Sequence, residues 1–156
     1  KYVFNCFNEP GKPTFAQRGL ELKKNGIAGI VVASESYGQG SSREHAALCP
    51  MYLGVKMIIA KSIERIHKAN LINFALLPAE FENPADYEKI STDDELEVKN
   101  LNDAIKSLDF IVVKDKTQNL EFRCKLNLSA RDRQILLAGG LLNFTKTSSQ
   151  KTKTQG

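Results

Sequence analysis

The chain has little with which to ligate a metal or to cross a membrane. Its three cysteines, Cys6, Cys49 and Cys124, are scattered without C-x-x-C spacing. That excludes a disulfide framework and a zinc or iron–sulfur ligand set built from them. They read as reduced thiols of an intracellular protein. No apolar run approaches the length of a membrane span, and no signal-peptide pattern is visible. A large charge excess is missing too. The formal charge is +4, but Lys146, Lys151 and Lys153 supply three of those charges and leave the body at +1. A broad nucleic-acid footprint is therefore not expected. No internal repeat is present.

What is there is enough for one domain with a real core: 156 residues, 42% of them hydrophobic. The chain opens at Lys1 in what reads as Tyr2-Val3-Phe4 and is expected to be a piece of something longer. The run 145–156, rich in Thr, Ser, Lys and Gln, lacks apolar periodicity and reads as a flexible tail behind a domain spanning 1–144.

Thr14 and Gln17 make a capping box for a first helix, which Asn25-Gly26 closes. The continuous apolar run 27–33 has the composition of a strand buried on both faces. A helix interrupted or kinked by Pro50 follows, ended by Gly54, and then a short strand over 55–60. This is a β-α-β unit with a right-handed crossover. Residues 62–74 read as a helix whose apolar stripe is Ile63, Ile66, Leu71 and Phe74, with His67 and Asn70 inside the stripe. A strand over 76–79 and a turn opening a short helix at 83–87 come next. Leu96, Val98 and Leu101 suggest a half-regular strand, 110–113 a buried one, and 120–126 a half-exposed one after a hairpin loop. Ser129 to Asp132 caps a last helix, which Gly139-Gly140 loosens or ends. The expected fold is α/β, a short parallel β-α-β core followed by antiparallel strands and a closing helix.

The chemistry concentrates in Tyr37-Gly38-Gln39-Gly40-Ser41-Ser42-Arg43-Glu44-His45-Ala46-Ala47, between the buried strand and the next helix. Gly38 and Gly40 permit positive φ and close approach to a ligand. The first N–H groups of a helix lack internal partners and favour anions. Arg43 adds a planar fork for a carboxylate or phosphate. Ligands collect at the carboxyl ends of strands in such units, where this turn belongs. The other reading of the same residues is a tight structural turn with Ser42 as N-cap and Arg43 solvated. His45 reads as a packed or capping histidine. His67 and Asn70 face inward and need partners, either structural or in support of the site.

The string Tyr37 to Leu48 resembles the signature of the aconitase superfamily's C-terminal swivel domain. The resemblance continues through Met51 to Lys56, Ile59 to Ser62, Arg65-Ile66-His67, Asn70-Leu71, Leu76-Leu77-Pro78 and Pro84 to Tyr87, covering residues 14–101 well. It implies a swivelling β/β/α-type domain. It also implies that Ser41 is the base that removes a proton from carbon, and that Ser42 and Arg43, with Gly40, bind a substrate carboxylate. The implied reaction interconverts citrate and isocitrate through cis-aconitate, with a [4Fe–4S] cluster as the Lewis acid for the leaving hydroxyl.

In the family the cluster's cysteines lie in other domains, and an arginine that contacts substrate would fall upstream of Lys1. The resemblance therefore implies a domain inactive alone, whose partners are the cluster-bearing domains and a small tricarboxylate, with no membrane and no nucleic acid. The expected location is the cytoplasm, or the mitochondrial matrix in a eukaryote. The small subunit of isopropylmalate or homoaconitate isomerase shares Gly-Ser-Ser-Arg-Glu-His. Arg65-Ile66-His67, Asn70-Leu71 and Pro84 to Tyr87 look more like aconitase. A non-catalytic anion- or RNA-binding module is the remaining alternative.

Overall fold

A computed structural model describes residue 11, residues 13–40 and residues 43–153. Helix α1 (Phe15–Lys24) starts on the expected capping box, with Thr14 Oγ1 accepting from the Gln17 amide and Gln17 Oε1 accepting from the Thr14 amide. It ends in a Schellman arrangement: the Ile27 amide donates to Leu22 O and the Gly26 amide to Lys23 O. Ile27 is spent on that cap and is half exposed, so β1 (Gly29–Ala33) starts two residues later than the apolar run.

From β1 the chain winds through α2 (His45–Tyr52), β2 (Val55–Ala60), α3 (Arg65–Asn73) and β3 (Leu77–Phe81). β1, β2 and β3 are parallel neighbours, with Val31 beside Ile58 and Ile59 beside Ala79. Alternate residues feed two cores. Val31, Ile58 and Ala60 join Ala47 and Leu71 on one face, while Val32, Ile59 and Ala79 join Ile72 and Leu136 on the other. Both faces of the parallel half are thereby covered, as such sheets require.

The second half adds β4 (Leu96–Val98), β5 (Phe110–Asp115) and β6 (Leu120–Lys125) as antiparallel strands, giving the order β1-β2-β3-β6-β5-β4. β6 alternates as expected, Phe122 and Cys124 inward and Glu121, Arg123 and Lys125 outward. The β5–β6 turn is tied by the Asp115 carboxylate, whose Oδ1 accepts from the amides of Thr117 (2.9 Å) and Gln118 (3.0 Å). The mixed α/β architecture agrees with the expected class.

Local assignments differ in four places. Leu101 opens a helix, α4 (Leu101–Ser107), rather than extending a strand. The helix is too short for its apolar residues, Ala104 and Ile105, to show a period. Ile66 is 55% exposed, and the inward residues of α3 are instead His67, Leu71 and Ile72, with Ile63 buried in the extended segment before the helix. Residues 62–64 are extended against Tyr37, so helical winding begins only at Arg65 and its phase turns Ile66 outward. Gly40 has no positive φ, whereas Gly38 has +93°. The expected tail from 145 is helical through Lys153, within α6 (Leu141–Lys153). Leu141 and Phe144 pack against the core, and the hydroxyls of Thr145, Thr147 and Ser149 donate to Leu142 O, Asn143 O and Thr145 O. Polar residues satisfied by their own helix leave no apolar signal to read.

α5 (Ala130–Leu137) starts on the expected Ser129–Asp132 capping box. It also closes α4: Arg133 Nη1 donates to Ile105 O (2.9 Å) and Leu108 O (2.8 Å), and Nη2 pairs with Asp109 at 2.9 Å. The Arg133 side chain is only 13% exposed and its bond to Ile105 O is partly buried, whereas Asp109 is 95% exposed and its ion pair adds little. Arg133→Met, which keeps the packing stem but no donor, is expected to lower stability by about 1.5–3 kcal/mol, the usual range for losing a charged hydrogen-bond partner. A urea midpoint equal to that of the unsubstituted chain would show that the α4 carbonyls do not need it.

Candidate active site

The glycine turn leaves the carboxyl end of β1 and is fastened to the segment that leaves the carboxyl end of β2. The Tyr37 amide donates to Ser62 O (3.0 Å), and Tyr37 O accepts from the Glu64 amide (2.9 Å). Tyr37 and Ile63 form a parallel bridge that continues the ladder past the sheet. The Ser36 amide donates to Ser62 Oγ at 2.8 Å, and the Lys61 amide donates to Ser34 O. Two loops are held as one platform at the strand ends where α/β folds bind ligands.

Gly38 is required at its place twice over. Its φ is left-handed, and a Cβ there would stand 2.3 Å from His67 Cγ and 2.5 Å from Cδ2. At Gly40 a Cβ would meet nothing within 4 Å among the described residues. Gly38, Gln39 and Gly40, with Glu64, Arg65, Ile66 and His67, line a cleft of about 300 Å³.

Ser41 and Ser42, expected as base and carboxylate contact, lie outside the described residues. Arg43 is exposed, and helical bonding begins there, the Ala46 amide donating to Arg43 O and the Leu48 amide to Glu44 O. The Glu44 side chain makes no capping bond. His45 is the first residue of α2 and is exposed, so it is not packed as expected, and the N-cap position falls to Glu44. Asn70 is half-buried on α3, about one turn beyond His67. His67 is 3% exposed under Gly38, its ring meeting Tyr37 edge-on at 5.2 Å. Burial pushes the His67 imidazole below its ordinary pKa and the Tyr37 phenol above its own.

Sequence reasoning gave no role to Tyr37, which fastens the turn, or to Arg65, which lines the cleft. The available signal for both was their place just beyond a parallel strand, a position that favours ligand contacts.

The described residues do not fit a cluster or metal site. Among the described residues no group of three or more His, Cys, Asp or Glu could hold a metal ion. Cys49 is exposed on α2. Cys124 is buried in β6, where burial and then the carboxylates of Asp86 and Glu82 push its thiol up to about 12, far from the thiolate a metal needs. Cys6 lies outside the described residues. Among the described residues no helix is long and apolar enough to cross a membrane.

The model of the aconitase C-terminal domain matches residues 7–84. The chain is 44% identical over 142 residues to a probable mitochondrial aconitate hydratase of Dictyostelium discoideum, covering 89% of this chain and 18% of that protein. It is 36% identical over 132 residues to a mitochondrial homocitrate dehydratase of Saccharomyces cerevisiae, covering 80% and 17%. Among solved structures, a 3-isopropylmalate dehydratase from Methanocaldococcus jannaschii superposes with a TM-score of 0.68 at 31% identity, over 81% of this chain and 68% of that one. The chain thus spans less than a fifth of the length of these curated relatives. By the family match and by a fold shared over most of both chains, it belongs to the aconitase C-terminal domain family.

Proposed function

We propose that this chain is the C-terminal domain of an aconitate hydratase, a hydro-lyase that interconverts citrate and isocitrate through cis-aconitate. The observation that carries the reading is the 44% identity to an aconitate hydratase across 89% of the chain. The position of the Gly-Ser-Ser-Arg string, leading from the carboxyl end of β1 into α2, supports it. In this reading Arg43 and Ser42 grip a substrate carboxylate beside Gly40, whose missing side chain permits close approach. Ser41 takes the proton from carbon, its alkoxide stabilised by the positive end of α2 and by the arginine. The rest of the site belongs to other domains of a longer protein. A [4Fe–4S] cluster is assigned to those domains, since the described residues here do not suit it. The relatives named as mitochondrial support a place in the mitochondrial matrix.

The test is turnover by the full-length enzyme, followed as cis-aconitate formed from citrate and from isocitrate, with isopropylmalate and homocitrate as competing substrates. Preference for isopropylmalate would move the domain to the activity named for the solved relative. Arg43→Lys is expected to weaken citrate binding by about 1–3 kcal/mol while leaving the melting temperature unchanged. Lysine keeps the charge but loses the planar fork. Equal citrate affinity in the two enzymes would remove the clamp.

A further inference from the structure

The first turn of α3 carries a cation that the fold does not use. Arg65 opens the helix, is exposed, and lines the cleft it shares with Gly38, Gln39 and Gly40. Among the described residues its guanidinium has no hydrogen bond or ion pair, although the Glu64 side chain lines the same cleft. Glu64 makes no capping bond on this nine-residue helix, and the leading amides of a helix have no partner within it. His67 lines the cleft as well, buried and without a partner at either ring nitrogen among the described residues. Buried polar groups are ordinarily satisfied, so this wall of the cleft holds hydrogen-bonding capacity that the described residues leave unused.

The topology brings this turn to the catalytic end of the sheet. α2 follows β1, α3 follows β2, and the two strands are parallel neighbours. Both helices therefore start beyond the same strand ends. There the Tyr37 amide donates to Ser62 O and Tyr37 O accepts from the Glu64 amide, which ties the start of α3 to the turn that leads to Arg43. Citrate carries three carboxylates, and in the reading above Arg43 takes one of them. We propose that Arg65 is a second carboxylate clamp: its planar fork, with the leading amides of α3, grips another carboxylate of the same tricarboxylate. The fork matches both oxygens of a carboxylate, which an ammonium does not. Arg65 contributes nothing to proton transfer and acts on binding alone.

The inference rests on the citrate reading above, and its test separates the two. In the full-length, cluster-loaded enzyme, Arg65→Gln removes the charge and Arg65→Lys keeps it without the fork. Lys56→Gln removes the same charge from an exposed position near the start of β2, at the other end of the strands. Citrate affinity by calorimetry, kcat, KM and melting temperature are measured for each. All three variants are expected to melt near the wild type, since neither side chain is bonded within the described fold. Arg65→Gln should lose about tenfold or more in citrate affinity, as for a lost hydrogen bond to a charged group. Its KM should rise with kcat kept, the mark of binding lost equally in ground and transition states. Arg65→Lys should fall between, and Lys56→Gln should match the wild type. Wild-type citrate affinity in Arg65→Gln would overturn the proposal, and so would a loss no larger than that of Lys56→Gln. A fall in kcat with affinity unchanged would overturn it too. A wild-type enzyme that fails to bind citrate would fault the substrate reading itself, and the second clamp would fall with it.

Discussion

Ser41→Ala in the full-length enzyme should lose turnover by about two to four orders of magnitude, the usual contribution of a positioned base, while citrate affinity changes little. The interaction removed exists chiefly in the transition state, as the proton leaves carbon. In the proposed reading Ser42, Arg43 and the positive end of α2 would still hold the carboxylate. A serine that is only a cap or a contact would behave in the opposite way, raising KM and sparing kcat. Ser42→Ala supplies that comparison within the same turn and is expected to shift toward lost affinity. Melting must be followed in parallel, because a serine at the start of a helix can stabilise it by about 1 kcal/mol. A Ser41→Ala enzyme that keeps most of its turnover would leave this turn as an anion cradle and move the base elsewhere.

Gly38→Ala should be the most damaging small substitution in the domain's fold. At +93° its φ lies in the region that side chains rarely adopt, a cost of about 1–3 kcal/mol. The new methyl would also sit 2.3 Å from His67 Cγ. The ring cannot swing clear as the tip of a flexible chain would, so either the turn lifts or α3 shifts. Together these should cost about 2–5 kcal/mol, seen as a lower urea midpoint. Gly40→Ala is the control two residues on. Among the described residues its methyl meets nothing within 4 Å, and its φ is not positive, so stability should stay within about 0.5 kcal/mol. Equal stability in the two variants would mean that Gly38 does not rest on His67 as described.

Those two glycines show where sequence reasoning stopped. Both look alike in the string, yet only one is forced by its neighbour, because His67 stands 29 positions away and reaches Gly38 through the fold. What was legible is local. The capping boxes at Thr14 and Ser129 and the strand over 55–60 each depend on residues within a few positions. The inward turn of His67 was legible as well, since it shares a face with Ile63 and Leu71. Ile66 was misplaced because Tyr37, from another loop, delays the start of α3. α4 was hidden because so short a helix, closed from outside by Arg133, needs no period of its own. The pairing of β3 with β6 rather than with the next strand, β4, joins the two halves of the sheet and has no local marker.

The fastening of the glycine turn has an entropic consequence. Tyr37 is bound on both sides, the Gln39 amide donates to Ser36 O, and helical bonding resumes at Arg43. Residues 36–39 are therefore fixed as the protein folds. Fixing a backbone residue costs roughly 1–2 kcal/mol, and for these residues that loss falls on folding and does not recur when a ligand arrives.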